Sequence, residues 1–146
     1  MNEFQERLQE LLDENNLSRL QLAKSLNISS TTINGYFNNG YYPKIEIAID
    51  MANYFNCSLD FLFGLSDTND FSNRNKKPFF ENLKNLIKSS GISIAQTMKN
   101  LKMSEYSYYR WRDGLIPKTI NLIDLAKYFD VSIEYLIGNL LSKWYK

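Results

Sequence analysis

The sequence predicts an all-α protein built from two tandem five-helix halves. The first observation is an internal repeat, in which residues 4–38 match residues 79–113 at an offset of 75 and residues 40–65 match residues 114–139 at an offset of 74. Twenty of these 61 aligned positions are identical, and they are spread along the whole match. The second observation is the helical spacing of apolar residues between helix-capping residues in both halves. Two copies of one fold are therefore expected.

An apolar stripe and two serine caps predict the first three helices. The stripe has the spacing i, i+4, i+7, i+8 and consists of Phe4, Leu8, Leu11 and Leu12. Ser18 precedes the second helix, with Gln21 three residues later in the spacing of a capping box. Ser29 precedes the third helix. That helix is expected to end at residues 38–40, where Asn and Gly tolerate a positive φ.

Proline and serine also mark the last two helices of the first half. Pro43 is predicted to open the fourth helix. The apolar positions of that helix are Ile45, Ala48, Ile49, Ala52 and Phe55. Ser58 is predicted to cap a short fifth helix that stops near Gly64. The second half repeats these signals at Phe79, Leu83, Leu86, Ile87, Ser93, Ser104, Pro117, Ser132 and Gly138.

The repeat places the domain boundaries. We predict a first domain at residues 1–65, a linker at residues 66–78 and a second domain at residues 79–146. The linker sequence is polar and without a hydrophobic pattern. If residues 140–146 are helical, their apolar side chains share one side, where they would cover the second domain or contact another subunit.

Composition narrows the classes of function. The chain has no histidine, which removes the commonest general base and metal ligand. Its one cysteine, Cys57, can form neither an internal disulfide nor a zinc-finger ligand set. Carboxylate or lysine chemistry stays open, but no motif indicates an enzyme. We therefore expect a cytoplasmic protein without cofactor, metal or membrane partner, since no apolar run approaches the ~18 residues that span a bilayer.

The net charge of +1 conceals an uneven distribution along the chain. Residues 1–68 hold nine acidic and four basic side chains, a net charge of −5. Residues 69–78 carry a net charge of +2, and residues 79–146 carry +4. The mean charge therefore understates how different the two halves are.

Two short helices around a tight turn, with a small residue where they cross, form a helix-turn-helix. In the first half Ala23 is the small residue and Asn27 takes the turn. Ile33 and Tyr36 are expected to anchor the second helix of the motif to the core. The second half departs from this pattern with Thr97, Met98 and Lys102 at the places of Leu22, Ala23 and Asn27.

At these residues the chain resembles the lambda repressor/Cro family, often called the XRE family. The matching stretch is LSRLQLAKSLNISSTTINGYF, followed by Pro43 and then IAIDMANYFNCSLDFLFG. The resemblance is strong over residues 17–64 and weaker over residues 92–138. It implies a partner, double-stranded DNA, whose major groove would receive the third helix of a half, while the preceding helix meets a phosphate.

The resemblance also implies which residues face DNA. In the first half the base-facing candidates are Ser30, Thr31, Thr32 and Gly35, and the phosphate-facing candidates are Arg19 and Asn38. In the second half the equivalents are Glu105, Tyr106, Ser107 and Arg110, with Ile94 and Asp113 at the phosphate-facing places and with Arg112 and Lys118 as further basic contacts. Arg110 suits guanine, whereas Glu105 suits cytosine or repels a phosphate.

Several residues also have a purely structural interpretation. Gln21 and Gln96 are expected to cap helices rather than touch DNA, and Cys57 is expected to be a small buried hydrophobe. Most aromatic residues at helical spacing are expected in the core, namely Tyr36, Tyr54, Phe55, Tyr108, Trp111, Tyr128 and Phe129. Core packing and sugar-phosphate contact stay equally open for Tyr41, Tyr42 and Tyr106.

The sequence therefore predicts a transcription regulator, a repressor, in which each half docks on one DNA half-site. The basic half with its linker is predicted to supply the salt-sensitive affinity, and the first half the sequence preference. One alternative limits DNA binding to the first half and assigns dimerisation to the second. Another is an antitoxin or antirepressor that binds a partner protein.

Overall fold

The computed structural model describes residues 1–70 and 75–140, and these residues form two compact units. Both units are built from α-helices, and no strand occurs within the described residues. A single isolated bridge joins Pro78 to Gly138. No helix in this part of the chain combines the length and apolar character that crossing a membrane requires. Residues 71–74 of the predicted linker and residues 141–146 of the predicted tail lie outside the described residues.

The first unit contains five helices, and each begins close to its predicted cap. They are α1 (Glu3–Glu14), α2 (Arg19–Leu26), α3 (Ser30–Asn39), α4 (Ile45–Phe55) and α5 (Leu59–Leu62). Ser18 and Gln21 form the predicted capping box, and α3 ends at Gly40 with a φ of 69°. Pro43 does not open α4, because the helix begins at Ile45 with Lys44 as its N-cap. Proline instead stiffens the loop before the cap.

The core of the first unit lies between α1 and the other four helices. Phe4, Leu8 and Leu12 of the predicted stripe are at most 1% exposed. They meet a buried set from the remaining helices and from the turn after α4, namely Leu22, Ala23, Ile33, Tyr36, Ile45, Ala48, Ile49, Met51, Cys57, Leu59 and Leu62. The prediction that Tyr54 lies in the core is wrong. Its side chain is 44% exposed, because it lies on the outer face of α4.

The second unit also contains five helices. They are α6 (Phe79–Ser90), α7 (Ile94–Asn100), α8 (Glu105–Arg112), α9 (Thr119–Phe129) and α10 (Ile133–Ile137). Ser93, Ser104 and Ser132 cap three of them as predicted. Gln96 does not complete a capping box, because its side chain donates to Asn100 Oδ1 at 2.7 Å. The predicted stripe of the first helix is buried except for Leu86, which is half-buried.

The backbone of the second unit repeats that of the first at its most constrained points. Five positions in the first unit have a positive φ, namely Asn16, Asn27, Gly40, Asn56 and Gly64. Their aligned positions in the second unit, Gly91, Lys102, Gly114, Asp130 and Gly138, also have a positive φ. Since left-handed backbone is uncommon outside glycine, five coincidences indicate the same chain path in both units.

Aromatic packing repeats in the same way. Phe4 meets Tyr36 edge to face, with ring centroids 6.1 Å apart. At the aligned positions Phe79 meets Trp111, also at 6.1 Å and edge to face. The two cores are therefore organised around the same contact even though one of its two residues differs.

In each unit one side chain of the first helix donates a hydrogen bond to the last helix, and these two side chains stand at aligned positions. We call the contact between the first and last helix the seam. In the first unit Arg7 Nη1 donates to the carbonyl oxygen of Phe61 at 2.6 Å, and the guanidinium lies 3.8 Å above the Phe61 ring. In the second unit Asn82 is 3% exposed, and its Nδ2 donates to the carbonyl oxygens of Tyr135 and Leu136 at 3.1 and 3.2 Å. The two residues have the same structural role, but they are different donors.

Both described ends of the predicted linker pack onto a unit. Asp67 accepts from Arg7, and Asn69 Oδ1 accepts from the backbone of Ser58 at 3.3 Å. At the other end, Asn75 Nδ2 donates to the carbonyl oxygen of Tyr135 at 2.7 Å. The polar side chains at both described ends of this segment therefore form hydrogen bonds to the adjacent unit.

The core of the second unit tolerates the sequence departures at α7. Met98 is fully buried, and α7 and α8 still pack against each other. Thr97 is also fully buried, and its Oγ1 has no hydrogen-bond partner among the described residues. Lys102 takes the turn with a φ of 58°, close to the 56° of Asn27.

Candidate nucleic-acid interface

In the first unit α2 and α3 pack against each other around a tight turn at Asn27. Ala23 is 1% exposed, and its carbonyl oxygen accepts from Ile28 across the turn at 3.0 Å. Ile33 and Tyr36 are buried, as predicted, and anchor the inner face of α3. This arrangement leaves the opposite face of α3 open to solvent.

The outer face of α3 presents hydroxyl groups at its N-terminal turn. Ser30 and Thr31 are exposed, and Thr32 is half-buried. The Thr32 hydroxyl is engaged with Ser29 Oγ at 2.8 Å, which closes the cap of the helix. No residue of α3 carries a charge. The surface is therefore polar but neutral.

Gly35 is not available as a base-facing residue. It is buried, and a Cβ at this position would lie 3.1 Å from Tyr41 Cδ2. The Tyr41 ring therefore lies against α3 and takes the surface position that a side chain at residue 35 would hold. Tyr41 itself is 62% exposed.

Arg19 joins the start of α2 to the last turns of α3. Its Nη1 donates to Asn38 Oδ1 at 3.2 Å and to Asn34 Oδ1 at 3.4 Å, and its guanidinium lies 4.2 Å from the Phe37 ring centroid. Both amides direct their oxygens at the guanidinium and keep their NH₂ groups as donors. The cluster Arg19–Asn34–Asn38 thus collects donors beside the N-terminus of a helix, which suits a phosphate.

The sequence predicted Arg19 and Asn38 as phosphate-facing candidates but not Asn34, which joins them through a contact between two helices. It also overlooked where the acidic residues are. Residues 15–45 contain no Asp or Glu and three basic residues, Arg19, Lys24 and Lys44. The net charge of −5 for the first half is therefore carried outside α2 and α3. The distribution of charge within each half would have shown this.

In the second unit the outer face of α8 is bulkier and charged. Glu105 and Tyr106 are exposed, Ser107 is half-buried, and Tyr106 is 68% exposed. Arg110 is exposed, with its guanidinium 5.7 Å from the Tyr106 ring centroid. Glu105 accepts from the Tyr109 hydroxyl at 3.5 Å. This face combines aromatic rings with charges of both signs.

The donor cluster of the first unit has no counterpart at the aligned positions. Ile94, Tyr109 and Asp113 stand where the first unit has Arg19, Asn34 and Asn38. Arg112 pairs with Asp113 at 3.0 Å, and this hydrogen bond raises the pKa of Arg112. The charge of Arg112 is therefore partly neutralised. Lys118 is exposed at the N-cap of α9.

The loop after α8 exposes aliphatic side chains. Leu115 is 46%, Ile116 is 40% and Ile120 is 39% exposed. The aligned residues of the first unit are Tyr41, Tyr42 and Glu46. The second unit thus presents an apolar surface where the first presents a mixed one.

Two tyrosines near the candidate surfaces have a raised pKa. Burial raises the pKa of Tyr36 above the ordinary tyrosine value. Burial is also the main cause of the raised pKa of Tyr108, with a further contribution from Tyr109. A tyrosine is already protonated at neutral pH, and the raised pKa extends the uncharged form of both side chains to higher pH.

The comparisons with known proteins agree with this geometry for the first unit. Residues 8–62 match the family model described as helix-turn-helix, from the middle of α1 to the end of α5 and over less than half of the chain. No curated protein and no solved structure matches the chain. The first unit therefore contains a helix-turn-helix domain.

Proposed function

We propose that the protein is a sequence-specific DNA-binding transcription regulator, a repressor, whose first unit places α3 in the major groove. The observation that carries this proposal is the Arg19–Asn34–Asn38 donor cluster beside the uncharged outer face of α3. The helix-turn-helix match over residues 8–62 supports the same conclusion. In this arrangement the cluster positions the protein on the backbone, and α3 meets the base edges.

Charge placement supports the docking direction. The stretch from residue 15 to residue 45 has a net charge of +3, so the face that approaches the duplex attracts phosphate although the unit as a whole is acidic. The acidic residues of the first unit all lie outside this stretch of the sequence. Repression follows if the bound site overlaps the place where a polymerase must bind.

Arg19→Ala tests the role of the cluster. We expect the intact variant to bind its selected duplex more weakly on all sequences alike, with the log–log salt slope smaller by about one. Arg19→Lys keeps the charge but loses the planar fork, so it should recover the slope and only part of the affinity. Lys84→Ala on α6 is the control. An unchanged slope and affinity in Arg19→Ala would remove the cluster from the DNA contact.

For the second unit we propose the same fold and a second DNA contact, at a neighbouring half-site, through Arg110 and Lys118. Arg110→Ala is expected to relax the preference at one base pair and to cost about 1–3 kcal/mol on the preferred site. An unaltered sequence preference in this variant would remove α8 from the reading surfaces.

One observation favours a different role for the second unit, namely self-association or binding of a partner protein. Ile94 and Asp113 occupy the places of the phosphate-binding donors, and Leu115 and Ile116 are exposed beside them. Sedimentation of the intact chain separates these roles. A dimer that Ile116→Lys dissociates, with DNA preference unchanged by Arg110→Ala, would assign the second unit to association.

A further inference from the structure

The outer face of α3 lacks the side chains that usually identify a base by charge. Arginine on guanine and acidic residues on cytosine are the common charged contacts in the major groove, and α3 contains neither. Asn34 and Asn38 direct their amide oxygens at Arg19. A hydroxyl both donates and accepts, so Ser30 and Thr31 do not by themselves distinguish one base edge from another. Apolar groups on this face can supply the discrimination that the hydroxyl groups lack.

Two apolar groups line one open groove beside α3. The groove has a volume of about 770 Å³ and is lined by residues that include Thr31, Gly35, Tyr41, Lys44 and Ile47. Glycine inside a helix is less favourable than alanine, yet here the missing Cβ lets the Tyr41 ring lie against the helix. The exposed ring and the methyl group of exposed Thr31 therefore share the surface that would face the bases.

Only one base carries an apolar group in the major groove, and that group is the C5-methyl of thymine. We propose that Thr31 and Tyr41 read this methyl group, so that the first unit selects T·A pairs by apolar contact. This inference rests on the proposed DNA binding. It adds the chemical group that is recognised and a further reading residue, Tyr41. A 5-methylcytosine in the same place carries the same methyl group and would be accepted too.

The test begins with selection of bound duplexes from random DNA by the intact protein. In the enriched duplex each thymine is then replaced by uracil, which removes only the methyl group. We expect about fourfold weaker binding at one or two positions, the loss that corresponds to one buried methyl group. A duplex in which 5-methylcytosine·guanine replaces the critical T·A pair should be bound more tightly than a duplex with cytosine·guanine there, by a similar factor.

Two near-isosteric variants assign the contact to a side chain. Thr31→Ser removes the methyl group and keeps the hydroxyl, so uracil and thymine should then bind alike at one position. Thr31→Val keeps a methyl group and should preserve the preference for thymine. Tyr41→Ala should also lower the sensitivity to uracil, whereas Tyr54→Ala, at an exposed position on the outer face of α4, should leave it unchanged.

The outcomes separate this inference from the proposed function. If no sequence is enriched, DNA binding itself is wrong. If a sequence is enriched but uracil replaces every thymine without loss, the protein binds DNA and the methyl contact is wrong. If Thr31→Ser retains the full preference for thymine over uracil, Thr31 does not make the contact, and if Tyr41→Ala retains it as well, the assignment to this groove fails.

Discussion

At the level of single residues, the two units have the same backbone conformation at an aligned turn but place different side chains there. Asn27 and Lys102 have nearly the same positive φ, 56° and 58°. Asparagine populates this region readily, whereas a longer side chain there is strained by contact between Cβ and the following carbonyl oxygen. The turn of the second unit is therefore strained, and this strain lowers the stability of the second unit relative to the first.

Lys102→Asn is expected to stabilise the second unit by about 1 kcal/mol, because it relieves this strain without changing a buried contact. Hydrogen exchange measured on peptides from each unit reports the two stabilities separately. The reciprocal variant Asn27→Lys should destabilise the first unit by a similar amount. If exchange in the second unit is unchanged or faster in Lys102→Asn, the strain argument is wrong.

Thr97 destabilises the second unit for a different reason. Its hydroxyl is buried without a hydrogen-bond partner among the described residues, at the place where the first unit has Leu22. Thr97→Val keeps the shape and removes the unpaired group, so the free energy of unfolding of the second unit should rise by about 1–3 kcal/mol. Slower amide exchange confined to residues 79–140 would show this gain. Ser107→Ala, at a half-buried position on α8, serves as the control.

At the level of elements, the seam between the first and last helix depends on one donor in each unit. Asn82 donates to two carbonyl oxygens of α10, which lie at the end of the helix where no backbone partner remains. Asn82→Ala removes this donor from the buried Leu136 oxygen, whereas the Tyr135 oxygen still accepts from Asn75 Nδ2. We expect the free energy of unfolding to fall by about 1–3 kcal/mol, seen as faster exchange in α6 and α10 before the rest of the unit.

Asn85→Ala is a matched control, since it makes the same change on an exposed position of α6. It should leave exchange in α10 unchanged. If Asn82→Ala behaves like Asn85→Ala, the seam is held by apolar packing alone.

Helix order, most caps and much of the core could be predicted from the sequence, because each depends on residues near one another in the chain. Ser18, Ser29 and Ser58 all cap the helices assigned to them. The exposure of Tyr54 was not predicted, because helical spacing alone does not show where the buried sector of α4 ends.

The parts that could not be predicted depend on contacts between distant segments. Arg7 and Asn82 hold equivalent seams, but their identities differ, so aligning the halves gives no hint of the shared role. The burial of Gly35 likewise requires knowing that the chain returns and lays Tyr41 across α3. A sequence pattern shows the periodicity of a single helix, whereas each of these features depends on a contact between two segments that are distant in the chain.

At the level of the whole molecule, the net charge of a half does not describe its candidate DNA-binding helices, because residues 15–45 of the acidic first half carry a net charge of +3. The predicted division of labour, with salt-sensitive affinity from the second half, stays a prediction. Neutralising Lys76, Lys77 and Lys118 together by Gln should flatten the salt slope by up to ~0.9 for each phosphate that the variant no longer neutralises. Arg112→Gln should flatten it by less than this amount, because Asp113 already pairs with Arg112.

The controls are Lys84→Gln and Lys88→Gln on α6, which remove positive charge from a helix outside α7 and α8. They should leave the slope nearly unchanged. If neutralising Arg19, Lys24 and Lys44 in the first unit abolishes the whole slope instead, DNA binding belongs to the first unit alone.

The differing seams have a consequence for how the chain reaches its folded state. A polypeptide with two copies of one fold can misassemble when the leading helix of one copy docks on the body of the other. Here α1 brings a guanidinium that reaches the carbonyl oxygen and the ring of Phe61, whereas α6 brings a short amide that donates to the carbonyl oxygens of Tyr135 and Leu136. We therefore expect each leading helix to pack more favourably in its own unit than in the other, which disfavours the exchanged pairing during folding.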